Sequence, residues 1–392
     1  MSAHIVVAGA GLAGHEFVRR LLASPDFDGT VTWHTAESGR PYNRVLLTDL
    51  IAGHHTPEAI SLPALSDPRL TFRRRPVESI AATPSDYLVL ATGAEPVIPP
   101  ARGNAVVLRT LNDARTILRA LADGARRVAV VGGGPLGVET ACALARRGIR
   151  VDLHHRGPHL LSRWLDAESA ALLTDSLHAA GINTRCETEI SAATGTWPTA
   201  DLVILACGVH PRTNLARAAG LPLGRGILVD ADGRSLGDPR VFAIGDCAEG
   251  GGVGAFAALE DARKAAKAIL AGSAPMSFAS PTPHIMSLPY APATAASANL
   301  RLRTYDIPGA EVAVLGRPLA DPTIHFTDQR RRTRKALTLD GDAPVAAALV
   351  GDVRAAPVLA RAIADPATPA PAVPVALLTS PLRGGAGGFD RV

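Results

Sequence analysis

One pattern constrains this chain more than any other: a short apolar strand running into a glycine fingerprint occurs twice. His4-Ile5-Val6-Val7-Ala8 leads into Gly9-x-Gly11-x-x-Gly14, and Val128-Ala129-Val130-Val131 leads into Gly132-x-Gly134-x-x-Gly137. Each is followed by a helical pattern. After the first, Phe17, Val18, Leu21 and Leu22 share a face; after the second, an Ala-rich run over 138–147 is stopped by Gly148 before a new strand at 150–154. A lone Gly-x-Gly-x-x-Gly also marks ordinary turns. Set between strand and helix, and repeated, it reads as two βαβ openings. There the first glycine permits a tight turn, the second lets backbone approach a pyrophosphate, and the third lets helix and strand pack closely. Phosphate oxygens then meet free N–H groups at the positive end of the helix dipole.

Length and composition agree with more than one such unit. At about 150 residues per domain, 392 residues allow two or three. With 47% apolar and 19% charged residues, the body of the chain is globular rather than disordered or fibrous. The net charge of +4 is mild and no basic stripe is interleaved with aromatics, so nucleic acid is not expected as a main partner. No apolar run approaches the roughly 18 residues of a membrane span, and Met1-Ser2-Ala3 leads straight into a strand, leaving no room for a signal peptide. Cys142, Cys186, Cys207 and Cys247 have no Cys-x-x-Cys spacing. They point to a reduced, cytoplasmic setting and to small core fillers rather than zinc ligands or staples. His54-His55 has no third ligand in register and reads as loop, so no metal is expected.

Further strands are expected at Tyr87-Leu88-Val89-Leu90-Ala91-Thr92-Gly93, Leu202-Val203-Ile204-Leu205-Ala206-Cys207-Gly208 and Val241-Phe242-Ala243-Ile244-Gly245-Asp246, continuous apolar runs suited to a buried parallel sheet. A helix over 255–270 precedes a Pro/Ser/Ala-rich linker at 272–283. Residues 301–342 and 345–350 look strand-like and 355–363 helical, and the Pro/Ala/Gly-rich tail from 365 is expected to be loosely ordered. An acid about 20 residues past the last fingerprint glycine usually holds a ribose. Glu37 suits that place after the first fingerprint. After the second stand His155 and Arg156, which either point to solvent or accept a 2′-phosphate, leaving NADH and NADPH both open. Arg330-Arg331-Arg332-Thr333-Arg334-Lys335 is the densest positive cluster. It reads as a solvated edge strand kept from aggregating by charge, ahead of a docking patch for an acidic ferredoxin.

Taken in order, Gly9-x-Gly11-x-x-Gly14, Ala91-Thr92-Gly93, Gly132-Gly133-Gly134-Pro135-Leu136-Gly137-x-Glu139, Cys207-Gly208-Val209-x-Pro211 and Ala243-Ile244-Gly245-Asp246 resemble the FAD-dependent pyridine nucleotide-disulfide oxidoreductases over about residues 1–270. Arg40-Pro41-Tyr42-Asn43-Arg44-Val45-Leu46-Leu47-Thr48 and the stretch ending Leu160-Leu161-Ser162-Arg163-Trp164-Leu165-Asp166 are most similar to the flavin-binding front of the nitrite reductase large subunit. Rubredoxin and ferredoxin reductases are similar at a greater distance. The resemblance implies an α/β chain of two Rossmann-like domains, the second inserted in the first, with a small α+β C-terminal domain. FAD would occupy residues 1–110 and 225–275, NAD(P)H residues 111–224, with an interface domain at 284–364 and a flexible tail at 365–392. It implies Asp246 on the ribityl chain, Glu37 on the adenosine ribose, Arg44 along the flavin and Thr92 and Gly93 at the domain crossing. It also implies a role for Glu139 in orienting the nicotinamide, although an acid favoured in a helix first turn by the dipole explains that residue equally well.

Departures from the family narrow the chemistry. Residues 39–53 contain no Cys, so the thiol relay of the disulfide reductases is missing. Ferredoxin-reductase relatives often carry a Lys where this chain has Thr48-Asp49-Leu50. No room or ligands remain for iron–sulfur and sirohaem domains. The expected activity is hydride transfer from NAD(P)H to FAD, then electron delivery to a separate acceptor of the ferredoxin, rubredoxin or nitrite-reductase type. An NAD(P)H oxidase or quinone reductase is the alternative, and a nucleotide-regulated flavoprotein acting by association is a third reading. A homodimer is left open.

Overall fold

The computed structural model describes residues 3–193, 195–249, 254–272, 298–316, 323–341 and 343–364. The linker expected at 272–283, beyond Gly272, and the tail expected from 365 lie outside them. Aliphatic strands without polar alternation must be covered on both faces, and two five-stranded parallel sheets result. The first runs Val241–Ala243, Tyr87–Leu90, His4–Ala8, Thr30–His34, Leu70–Arg73. The second runs Ala105–Val107, Leu202–Leu205, Arg127–Val131, Arg150–His154, Ile182–Arg185. Both follow one plan. The fingerprint strand lies in the middle, the next two strands extend to one side, and the order then reverses to the other. Such a reversal opens a crevice at the carboxyl ends of the strands, where α/β sheets bind ligands.

The second sheet interrupts the first, because strand Val241–Ala243 joins the first sheet after the second is complete. The chain crosses over and back through an antiparallel pair, Ala94–Pro96 with Val209–Pro211. Thr92 Oγ1 donates to the Arg212 carbonyl at 3.0 Å, and the Arg212 N–H donates to Gly93 O at 2.9 Å. The expected boundary at 110/111 needs correction, since Ala105–Val107 already pairs with Val203 to Leu205 in the second sheet. Three small aliphatic residues carry no mark of which sheet they will join; the crossing at residue 94 decides it. Ile227–Leu228, expected in the first unit, forms a separate parallel ladder with Ala248–Glu249. Ile227 nevertheless packs with Val6, Ala8, Leu88 and Leu90 under the first sheet.

The C-terminal unit is an antiparallel sheet, in the order Ala298–Arg301, Val312–Gly316, Ala343–Val350, Thr333–Asp340, Thr323–Asp328. Helix Ala356–Ala364 covers one face through Leu359, against Leu315, Leu337 and Leu349. From the other face Val312, Val314 and Val350 enter a core that also holds Leu47, Ile51, Val138, Leu144, Leu173 and Leu177, so all three units share one interior. Burying each such side chain contributes about 1.5–3 kcal/mol.

The arginine-rich run is not a solvated edge. Strand Thr333–Asp340 is hydrogen-bonded on both sides, and Arg334 and Lys335 are 6% and 5% exposed. Arg334 reaches helix Ala167–Ala179, with Nη1 2.5 Å from Glu168 and Nε 3.4 Å from Asp166; Lys335 Nζ lies 3.3 Å from Asp352. Only Arg330, Arg331 and Arg332 face solvent, in the preceding turn. Charges that look like surface in sequence have become ties within the sheet and to the second unit. Arg334→Gln is expected to lower stability by about 1–2 kcal/mol through lost charge-assisted bonds, read as a lower urea midpoint with an unchanged slope.

Candidate functional site

The two fingerprints build the same object twice. Gly9 and Gly132 have φ of +122° and +125°, and a Cβ on either would stand 2.1 or 2.2 Å from the carbonyl oxygen of Ala91 or Ala206. Their N–H groups donate to His34 O and His154 O, at 2.9 and 2.8 Å. Gly14 and Gly137 seat each helix against its strand. The middle glycines differ: around Gly134 a Cβ meets nothing within 4 Å, and around Gly11 only Arg44 Nη2 at 4.0 Å. Protein packing therefore does not demand glycine there, and the space in front is open. Both middle glycines are helix N-caps with extended backbone and no side-chain cap, opening helices Leu12–Ala23 and Pro135–Arg146 whose first turns carry no acid. The free N–H groups and the dipole are left for an outside anion.

Around the first cradle the structure gathers Glu37, Tyr42, Arg44, Arg109 and Asp246. Arg44 Nη2 donates to Glu37 Oε1 at 2.9 Å and its Nη1 to Arg109 O at 3.0 Å. Tyr42 Oη donates to Glu37 Oε2 at 2.6 Å and accepts from Leu111 N–H at 3.0 Å; burial raises its pKa. Arg109 Nη2 donates to Asp246 Oδ2 at 2.7 Å. Arg109 escaped the sequence reading. Its signal is positional, because it precedes the capping box of Thr110 and Asp113 that starts helix Leu111–Ala122.

Around the second cradle, His155 lies on the fingerprint turn, with Nδ1 accepting the Gly133 N–H at 3.1 Å. Burial, then His159 and Arg156, lower the pKa of His155 and keep it a neutral acceptor. Arg156 is exposed. Glu139 lies beyond the first turn of its helix and is 8% exposed, so the helix dipole does not account for it. Burial pushes its carboxyl up to about 7. Asp49 and Arg303 meet it there, and neither was singled out as a site residue from sequence. His54 and His55 are exposed, and no group among the described residues joins them into a metal site. Cys142 and Cys247 are buried, Cys186 and Cys207 half-buried. Among the described residues no helix is long and apolar enough to cross a membrane.

Residues 3–268 match the pyridine nucleotide-disulphide oxidoreductase family. The chain belongs to this family. It is 30% identical over 281 residues to a nitrite reductase [NAD(P)H] of Bacillus subtilis, matching 64% of this chain and 35% of that protein. The chain thus spans about a third of that relative's length. It is 31% identical over 283 residues to the nitric oxide reductase FlRd-NAD(+) reductase of Klebsiella pneumoniae, over 64% of this chain and 74% of that one. A covalent putidaredoxin reductase–putidaredoxin complex superposes with a TM-score of 0.72 at 27% identity, covering 89% of each chain. An NAD-dependent persulfide reductase from A. fulgidus shares the fold, with a TM-score of 0.76 at 24% identity over 92% of this chain and 76% of that one.

As a member of this oxidoreductase family the chain has FAD and NAD(P)H as cofactors, and two open cradles with uncapped helix ends fit two pyrophosphates. The glycines separate folding from binding. Gly132→Ala, strained and clashing with Ala206, is expected to cost about 2 kcal/mol or more. Gly134→Ala is expected to change stability by less than about 1 kcal/mol yet weaken dinucleotide binding at least about tenfold, measured by thermal melts beside calorimetric titration with NADP+ and NAD+.

Proposed function

We propose that the protein is an electron-transfer reductase that moves a hydride from NAD(P)H to FAD and hands the electrons to a separate redox protein. The observation that carries this reading is the matched pair of open cradles on two units joined through one core. Bound FAD supplies the chemistry of accepting a hydride and releasing its electrons singly or together. The chain's part is to hold and aim. Gly11 and Gly134 leave room for the two pyrophosphates, and Glu37 and Asp246 offer acceptors to sugar hydroxyls. Arg44 and Arg109 orient those carboxylates through charge-assisted hydrogen bonds, and Thr92 and Gly93 fix the crossing between the two units.

Thiol relay has no support, since Cys247 is buried with Sγ turned to Leu90 O at 3.2 Å and burial raises its pKa. A protein acceptor is favoured by the FlRd-NAD(+) reductase relative and by the putidaredoxin reductase complex. Of the two coenzymes NADPH is favoured, on an internal comparison. Beyond strand Thr30–His34 the chain offers Glu37, suited to a free ribose hydroxyl. Beyond Arg150–His154 it offers a cationic, exposed Arg156, suited to a 2′-phosphate.

The purified protein is expected to be yellow and to bleach anaerobically with NADPH. It should reoxidise faster with a ferredoxin or rubredoxin than with oxygen or menadione in stopped-flow mixing. Adenosine 2′,5′-bisphosphate should bind at least about tenfold tighter than 5′-AMP, a gap of about 1.4 kcal/mol that Arg156→Ala largely closes. A colourless protein that refuses FAD would sink the function. Equal binding of the two adenosine probes would sink only the coenzyme assignment, and reoxidation by oxygen or quinone alone would turn the reading to an oxidase.

A further inference from the structure

The two nucleotide-binding units meet along helices Leu47–Ala52 and Pro135–Arg146, which pack through Leu47, Leu50, Ile51, Val138 and Ala141. In that seam each helix buries one carboxylate, Asp49 at 6% exposure and Glu139 at 8%. A loop of the C-terminal unit enters from a third side. The Arg303 N–H donates to Glu139 Oε1 at 2.9 Å, its Nε stands 3.1 Å from Asp49 Oδ2, and its Nη1 donates to Val45 O at 3.3 Å. Thr48 Oγ1 donates to Glu139 Oε2 at 3.5 Å.

Among the described residues, the other titratable groups facing the pair are His54 and His55 beyond the first helix, Cys142 one turn past Glu139, and Tyr305 beside Arg303. Tyr305 packs edge-on against His54, with ring centroids 5.4 Å apart. Tyr305 and Asp306 both hold left-handed backbone, φ 50° and 63°, a conformation that persists for such residues where the surroundings enforce it. Arg303 is the one permanent cation in this set, against two acids. Adjacent carboxylates in a low-dielectric site cannot both ionise cheaply. In keeping with that, burial raises the pKa of Asp49 and brings that of Glu139 up to about 7.

We propose that Asp49 and Glu139 hold one proton in common and that Arg303 balances the charge left over, forming a proton-dependent latch at the joint of the three units. Asp49 and Arg303 are positioning residues that act through Glu139. With the proton bound the seam is closed; when it leaves, two buried anions face one cation, and the seam loosens. The latch lies in the seam between the two nucleotide-binding units, so it bears on how the two cradles face each other.

The sign of the pH dependence follows from the raised pKa. Between the ordinary carboxylate value near 4.3 and about 7, the folded protein binds more protons than the unfolded chain. Its stability therefore declines with pH across that window and levels above it. Glu139→Gln, which mimics the protonated acid, is expected to gain about 3 °C or more in melting temperature relative to the unmutated protein between pH 5.5 and 8.5. The midpoint of that gain should fall in Asp49→Asn, which removes the like charge, and rise in Arg303→Gln, which removes the cation. Infrared spectra of the full-length protein at pH 6 should show a protonated carboxyl stretch that Glu139→Gln abolishes. Hydrogen exchange in the two seam helices should quicken above pH 7 only where Glu139 is present. If Arg303→Gln does not fold, Asp49→Asn and the infrared band still decide. A constant offset between Glu139→Gln and the unmutated protein at every pH, or an unmoved midpoint in Asp49→Asn, overturns the latch.

Discussion

Backbone lies directly on backbone where each central strand ends, Gly9 against Ala91 and Gly132 against Ala206. No side chain fits between them. That approach turns the chain sharply out of each central strand and lets the following helix begin with its N–H groups uncovered. Everything functional is arranged around the two openings that result. The first recruits charged side chains from the 37–44 segment and from residues 109 and 246; the second recruits the imidazole of His155.

Two such units are useful only if they keep a fixed relation, and several independent contacts maintain it. The paired crossing strands return the chain where it left. Arg147, at the end of the second fingerprint helix, donates to Ile51 O at the end of the seam helix of the first unit. The C-terminal sheet then adds side chains to the same core and ties itself to helix Ala167–Ala179 through Arg334. The antiparallel unit thus serves as a brace across the second domain, with Arg303 reaching the seam where the two nucleotide-binding units meet.

What could be read from sequence was what depends on neighbours in sequence. The fingerprints, the strands that feed them and helix Ala255–Leu270 are local patterns, because glycine at a tight turn and aliphatic runs in a buried sheet announce themselves over ten residues. The joint was not legible. Glu139 is placed among its partners by Asp49, 90 positions earlier, and Arg303, 164 positions later, and no periodicity reports that meeting. Arg334 and Lys335 were misread for the same reason: a charge run is surface unless acids such as Asp166, Glu168 and Asp352 are folded against it. Ala105–Val107 falls on the far side of the expected boundary at 110/111 because three small aliphatic residues fit either sheet.

The duplicated cradles differ in how their second backbone N–H is used. His155 already occupies the Gly133 N–H, whereas among the described residues no side chain takes the matching N–H of Ala10. A phosphate arriving at the second opening therefore finds one donor fewer than at the first, and must either displace an imidazole or accept a looser grip.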